Sequence, residues 1–174
     1  MNSMQKTKME KVTLNIGVGA AGERLENAYS LLQRISGEQP VYTKAKNRNP
    51  AFKVKKGENI GAKVTIRGEK AAEVLKKLLE TVDRIIPSKS FDRFGNVAFG
   101  VKEYIDIPGM KYDPKIGMMG LDVCITLTKP GKRVAVRRRA PSQVHKKQMV
   151  SQAEAKAFMQ EKFGATIAEP EKKE

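Results

Sequence analysis

The residues best spaced for chemistry in this 174-residue chain are Gly17, Gly19 and Gly22, in the run Gly-Val-Gly-Ala-Ala-Gly. The run follows an alternating segment and precedes a helical one, as a dinucleotide-binding turn requires. That chemistry also needs an acid about 20 positions on, at the end of the second strand, to hold a ribose hydroxyl. Glu38 has about the right spacing, but Pro40 and the strand-like residues 41–43 come after it, so the acid sits at the wrong end. The glycines read instead as a strand-to-helix turn that a backbone or a phosphate can approach closely. Nucleophilic chemistry has little to draw on. His145 is the one histidine and stands beside Lys146 and Lys147, as a solvated or phosphate-facing side chain would. Cys124, the one cysteine, alternates with Val123 and Ile125, which favours a small strand residue over a nucleophile. A Cys124–His145 pair stays open on sequence alone. One cysteine gives no disulfide framework and no thiolate zinc site, and the acids show no paired, metal-ligand spacing. The expectation is a protein with no enzymatic activity, no cofactor, no metal and no small-molecule substrate.

Charge carries more information. The chain has 34 basic and 19 acidic residues, for a net +15. Between residues 40 and 67 stand Lys44, Lys46, Arg48, Lys53, Lys55, Lys56, Lys63 and Arg67 against Glu58 alone. Between 129 and 147 stand Lys129, Lys132, Arg133, Arg137, Arg138, Arg139, Lys146 and Lys147, with no acid. These segments carry +7 and +8, the whole net charge, and the rest of the chain balances. Two concentrated segments in a neutral body read as the footprint of a polyanion. They are interleaved with β-type residues rather than set on an amphipathic helix, which favours nucleic acid over anionic lipid. No apolar run approaches the roughly 18 residues of a membrane span, and the first dozen residues lack the apolar stretch of a secretory signal. No membrane partner is expected, and a reducing, cytoplasmic setting is.

Periodicity supplies the elements. Residues 11–16 alternate as a half-buried strand, and residues 23–35 put Leu25, Ala28, Leu31, Leu32 and Ile35 on one helical face before Gly37. Short β-like pieces fall at 41–43 and 51–55, and a clearer strand at 62–67. The strongest helical pattern runs over 69–86, with Ala71, Val74, Leu75, Leu78, Leu79, Val82 and Ile85 inward and Pro87 as the stop. Further strands are indicated at 96–105, 120–128 and 133–137. A last helix over 151–163 opens on a Ser-Gln-Ala-Glu capping box and ends at Gly164. The fold class is therefore α+β, an antiparallel or mixed sheet with two main helices on one face and the other face open for RNA. Residues 11–167 form the single domain, preceded by a flexible basic segment, 1–10, and followed by a disordered charged tail, 168–174. Within it, 129–150 is a basic stretch. The long loop 106–119 has a length often associated with function.

The polar faces of the two clearest strands read Lys11, Thr13, Asn15 and Lys63, Thr65, Arg67. Cations mixed with short hydrogen-bonding side chains, and no carboxylate, suit sugar and phosphate contacts. The segment Arg-Phe-Gly-Asn-Val-Ala-Phe at 93–99 lacks the paired aromatics of a base-stacking RRM motif, so recognition should rest on RNA shape and backbone.

Several strings together resemble one family: Leu-Asn-Ile-Gly-Val-Gly at 14–19, Thr-Lys-Ala-Lys at 43–46, Ile-Gly-Ala-Lys-Val-Thr-Ile-Arg-Gly at 60–68, Ser-Phe-Asp-Arg-Phe-Gly-Asn at 90–96 and Asp-Ile-Pro-Gly at 106–109. The family is ribosomal protein L five of the large subunit. The Lys-Pro-Gly-Lys-Arg stretch, the arginine triplet and the last helix resemble its archaeal form. The resemblance implies a cytoplasmic, ribosome-bound protein that binds 5S ribosomal RNA and helps attach it in the central protuberance. It further implies contact with large-subunit RNA, with P-site transfer RNA and with neighbouring 5S-associated ribosomal proteins. A bridge to a head protein of the small subunit is also implied. Family RNA contacts carry over to Asn15 and Thr65, and a third, a glutamine just after a Ser-Gly pair, falls at Gln39 with Glu38 interposed. The loop that approaches transfer RNA corresponds to Ala45, Lys46, Asn47, Arg48, Asn49, Pro50, Ala51 and Phe52. Lys132, Arg133, Arg137, Arg138, Arg139, Lys146 and Lys147 are expected to meet other RNA.

Overall fold

A computed structural model describes residues 2–168. Its centre is β1 (Lys8–Gly17), whose alternation buries Val12, Leu14 and Ile16 almost completely. β1 pairs antiparallel on one side with β3 (Asn59–Ile66) and on the other with β6 (Leu121–Thr128). β2 (Val41–Lys44) and β5 (Asn96–Val101) complete a five-stranded antiparallel sheet in the order β2-β3-β1-β6-β5. In an antiparallel pair, residues directly opposite share a face, so each strand's buried set adds to its neighbour's. Ala62, Val64 and Ile66 meet the β1 residues from one side, and Leu121, Val123, Ile125 and Leu127 from the other.

Two helices cover that face. α1 (Glu23–Ser36) buries Leu25, Ala28, Leu31 and Leu32 and stops at Gly37, which takes a left-handed φ of 65° and donates its amide to Gln33 O at 2.8 Å. α2 (Gly68–Glu80) buries Ala71, Leu75, Leu78 and Leu79. Its periodic pattern runs on to Ile86, but the helix ends at Glu80. Asp83 and Arg84 turn left-handed, and the Arg84 amide closes back on Leu79 O. Ile85 is then half exposed rather than inward, while Ile86 is buried in β4 (Ile85–Pro87). The competing interaction is long-range: β4 pairs parallel with β7 (Thr166–Ala168), which local periodicity cannot register.

Three other segments depart from the sequence pattern. Residues 51–55 form a tight turn rather than a strand. Residues 133–137 form a single helical turn, α3 (Arg133–Val136), with Val134 and Val136 exposed. Both neighbours of β6 are already taken by β1 and β5, and Gly131, at a φ of 98°, turns the chain away. The strand from Asn96 ends at Val101, short of 105, and Tyr104 follows in a buried turn whose hydroxyl accepts the Asp113 amide at 3.0 Å. The 106–119 loop is tied to α1 by Arg34–Asp113 at 3.0 Å and by Asn27 Nδ2 donating to Lys115 O at 2.7 Å. β1 also starts at Lys8, earlier than the alternation indicates, with a bulge between Met9 and Lys11.

α4 (Gln152–Phe163) forms with the expected capping box: Ser151 Oγ accepts the Glu154 amide and Glu154 Oε2 accepts the Ser151 amide. Lys129, with only 7% of its side chain exposed, meets Glu154 Oε1 at 2.7 Å and ties this helix to the end of β6. Burial works against the Glu154 carboxylate, but the bonds from Lys129 and Ser151 outweigh it and hold its pKa below the ordinary value. Ala168 ends β7, and the remainder of the expected tail lies outside the described residues.

The sheet depends on a glycine where β3 passes between β2 and β1, Gly61 being paired with Thr43 on one side and Gly17 on the other. A Cβ on Gly61 would stand 2.8 Å from Ile16 O and 2.8 Å from Thr43 Oγ1, whereas one on Gly17 would meet nothing within 4 Å. Gly61→Ala should therefore cost roughly 1–3 kcal/mol by overpacking and lower the melting temperature by several degrees. Gly17→Ala should leave it nearly unchanged. Thermal unfolding by circular dichroism checks the pair, and equal melting temperatures would contradict this packing.

Candidate nucleic-acid interface

The side of the sheet that the helices leave open collects the polar residues of every strand. In register, Thr13 faces Thr65 and Asn15 faces Lys63 across β1 and β3. On the other flank, Lys11 faces Thr126, Thr13 faces Cys124 and Asn15 faces Asp122. β5 extends the same face with Asn96 beside Thr126, Ala98 beside Cys124 and Gly100 beside Asp122. β2 adds Val41 next to Lys63, and Thr43 next to Gly61. Lys63 and Thr65 are exposed, and Lys11, Thr13 and Asn15 half-buried. The face is thus a shallow platform of hydroxyls, amides and ammonium groups on rigid strands, suited to sugar and phosphate oxygens.

The structure therefore brings five of the expected residues together: Lys11, Thr13, Asn15, Lys63 and Thr65. Arg67 stands just beyond β3, where its guanidinium lies 3.5 Å from Glu10 Oε1. Glu10 also meets Lys132 Nζ at 3.3 Å, so one carboxylate joins a platform cation to the C-terminal basic stretch. Gln39 is exposed two residues ahead of Val41. Its neighbour Glu38 meets Lys70 Nζ at 2.9 Å, which raises the Lys70 pKa. Sequence reasoning missed Asp122, Thr126 and Asn96. The alternation of residues 121–128 could have found the first two, since it points Asp122, Cys124 and Thr126 away from the core. Their position beside β1 is set by strand order.

The basic loop between β2 and β3 folds back on itself. Asn49 and Val54 exchange both backbone hydrogen bonds, at 3.0 and 3.1 Å. They close a tip of Pro50, Ala51, Phe52 and Lys53, with Lys53 left-handed at a φ of 56°. Asn49 Oδ1 accepts the Ala51 amide at 3.1 Å, a side-chain turn that the Asn-Pro sequence favours. Phe52 is 76% exposed at this tip, whereas Ala45 is buried at the loop's root. Lys46, Asn47, Arg48 and Asn49 are exposed between them.

The alternative chemistries find no geometry. The sheet around the Gly17–Gly22 turn is antiparallel, so there is no parallel βαβ unit. The Val18 and Gly19 amides, which a phosphate would need, both donate to Ile60 O, at 3.0 and 2.8 Å. The close approach that the glycines allow is thus taken by backbone. Burial, followed by the Asp122 carboxylate, pushes the Cys124 thiol up and away from the thiolate form. His145 is exposed, and its Nδ1 accepts the Lys147 amide at 3.2 Å.

Comparison with known proteins agrees with this arrangement. The family described as "Ribosomal protein L5" matches residues 2–55, and the model of the same family's C-terminus matches residues 59–161. The chain is 52% identical to the large ribosomal subunit protein uL5 of Sulfurisphaera tokodaii, covering 97% of this chain and 96% of that protein. It is 44% identical to the protein of the same name from Methanosphaera stadtmanae, over 96% of this chain and 99% of that one. For the Pyrobaculum aerophilum protein of that name the identity is 46%, over 94% and 92%. Two adjoining family matches and archaeal relatives of nearly equal length agree with the strings noted from residue 14 to residue 109, and the chain belongs to the ribosomal L5 family.

Proposed function

We propose that this chain holds 5S ribosomal RNA against the open face of its sheet, as a non-catalytic constituent of the large ribosomal subunit in the cytoplasm. Family membership supports the ribosomal setting. The single observation that carries the RNA assignment is the pairing of Thr13 with Thr65 and Asn15 with Lys63 on a face that no helix covers. Backbone phosphates would rest on Lys11, Lys63 and Arg67, while Thr13, Asn15 and Thr65 bond to sugar and phosphate oxygens. Gln39 would extend the contact past the β2 edge. Asp122 would discourage phosphate beside Asn15, so a sugar hydroxyl fits that position better.

The loop and the C-terminal stretch take other partners in this reading. Residues 45–52 project from the sheet and approach P-site transfer RNA, with Lys46 and Arg48 supplying phosphate contacts. Arg133, Arg137, Arg138, Arg139, Lys146 and Lys147 have no carboxylate partner among the described residues, and they meet large-subunit RNA. Attachment of 5S RNA in the central protuberance, contacts with neighbouring 5S-associated proteins and a bridge to a small-subunit head protein belong to the same proposal and rest on the family.

Asn15→Ala and Thr65→Val should each weaken 5S RNA binding by roughly 1–3 kcal/mol while leaving thermal unfolding unchanged. Filter binding reads the effect, and unaltered affinity in both variants would remove the RNA from this face. Replacing residues 46–53 by a shorter turn, which removes Lys46 and Arg48, should leave 5S affinity nearly unchanged. On assembled ribosomes it should weaken P-site transfer-RNA retention, most at low salt and less as salt rises, because the lost contacts are the salt-sensitive ones. Loss of 5S binding with normal P-site occupancy would reverse the assignment of loop and sheet.

A further inference from the structure

A cavity of about 590 Å³ lies where the open face runs into the C-terminal basic stretch. One wall is the sheet end, with Asn96 and Thr128, and the other is the returning chain, with Gln143, Lys146, Gln148 and Met149. Phe94 stands at its mouth, 58% exposed. The turn that presents Phe94 is fixed. The Asp92 amide bonds Asn96 O at 2.9 Å, and Gly95 takes a φ of 76° so close to Val150 that a Cβ would stand 2.6 Å from its methyl carbon. The far wall is held by the His145 turn, where the Gln148 amide bonds His145 O and the Lys147 amide bonds the imidazole. A large aromatic side chain exposed on a rigid turn adds little to folding.

From these observations we infer that the cavity takes one unpaired nucleobase of an RNA strand, a reading that rests on the RNA-binding function proposed above. The size suits a nucleoside, since small-ligand sites span roughly 300–1,000 Å³. Phe94 and Met149 offer apolar surface for a base plane. The side-chain amides of Gln143 and Gln148 make no hydrogen bond among the described residues, and they can read a base edge. Lys146 has no carboxylate partner among the described residues, so it is free for a flanking phosphate. Lys129 and Lys132 also line the cavity, paired with Glu154 and Glu10, so Lys146 is the lining cation without such a partner among the described residues, on an otherwise largely apolar wall. Beside exposed Phe94, this lining suits a polyanion that also carries flat apolar faces. A base within a duplex keeps its faces stacked and cannot enter, so the site selects single-stranded or bulged RNA.

The test uses the full chain with ¹³C-methyl methionine, titrated with single-stranded pentaribonucleotides of A, C or U. A matched RNA duplex, inorganic phosphate and an acidic amphipathic peptide serve as comparison ligands. The expected result is that at least one pentamer shifts the Met149 methyl resonance by ring current, while duplex and phosphate do not. Phe94→Ala should then weaken that pentamer roughly tenfold, the size of one lost base–aromatic stack, with an unchanged melting temperature. If the chain binds 5S RNA but no pentamer moves Met149, or Phe94→Ala binds the pentamer undiminished, the cavity is not a base site and the RNA-binding function survives. An equal shift with phosphate reduces the site to a cation cluster, and a shift with the peptide alone makes it a protein groove. Both outcomes overturn the inference. Failure to bind either 5S RNA or any pentamer overturns the inference and the function beneath it.

Discussion

The constraint on which the rest of this molecule depends is that its sheet is covered on one side only. β1 runs through the middle, and its buried Val12, Leu14 and Ile16 can leave water only where α1 and α2 lie. Side chains alternate along a strand, so burying that set commits Lys11, Thr13 and Asn15 to the opposite side. Each neighbouring strand repeats the decision in register. The core and the platform are therefore two consequences of one pattern. A slip of one residue would exchange them, placing Lys63 in the core and Val64 in water.

Charge is arranged around that platform in a way that folding alone does not require. Ion pairs are few among the described residues: outside the basic segments Arg34 meets Asp113, Lys70 meets Glu38 and Arg84 meets Glu80, and inside them Lys129 meets Glu154. Most cations of the two basic segments have no such partner, and like charges held close work against the compact state. Glu10 is an instructive exception, because it neutralises Arg67 and Lys132 together and draws the C-terminal stretch against the start of β1. The cations left over surround the open face from the loop side and from the C-terminal side. A polyanion relieves their repulsion by releasing its own counterions, which makes attraction strong and sensitive to salt.

Much of this was legible in the sequence because it is local. Strict alternation exposed β1 and β3 with their polar faces, the spacing of Leu25, Ala28, Leu31 and Leu32 marked α1, and Ser151 with Glu154 marked the start of α4. The five clustered platform residues follow from those faces. What escaped was set by distant pairing. Ile85 and Ile86 fit a helical period, yet β7 draws them into a strand. Residues 133–137 have β-type composition, but β6, the strand just before them, already has β1 and β5 on its two sides. Phe52 and Val54 alternate with lysines as a strand would, yet Asn49 and Val54 bond each other and make a turn. Asp122 reached the platform through strand order, which alternation does not contain.

Cys124 gives the most direct access to the central claim, that RNA lies on the open face. It is the chain's only cysteine, it is exposed, and it faces Thr13 in the middle of the platform. Its thiol is held above the ordinary range by burial and by Asp122, so alkylation should be slow at neutral pH and speed up as pH rises. The measurement is the rate of maleimide labelling, read by intact-mass spectrometry, with and without saturating 5S ribosomal RNA at one pH. RNA on this face should shield the thiol and slow labelling strongly, with the original rate restored when high salt dissociates the complex. Equal labelling rates for the free chain and for chain shown to be RNA-bound would place the RNA elsewhere.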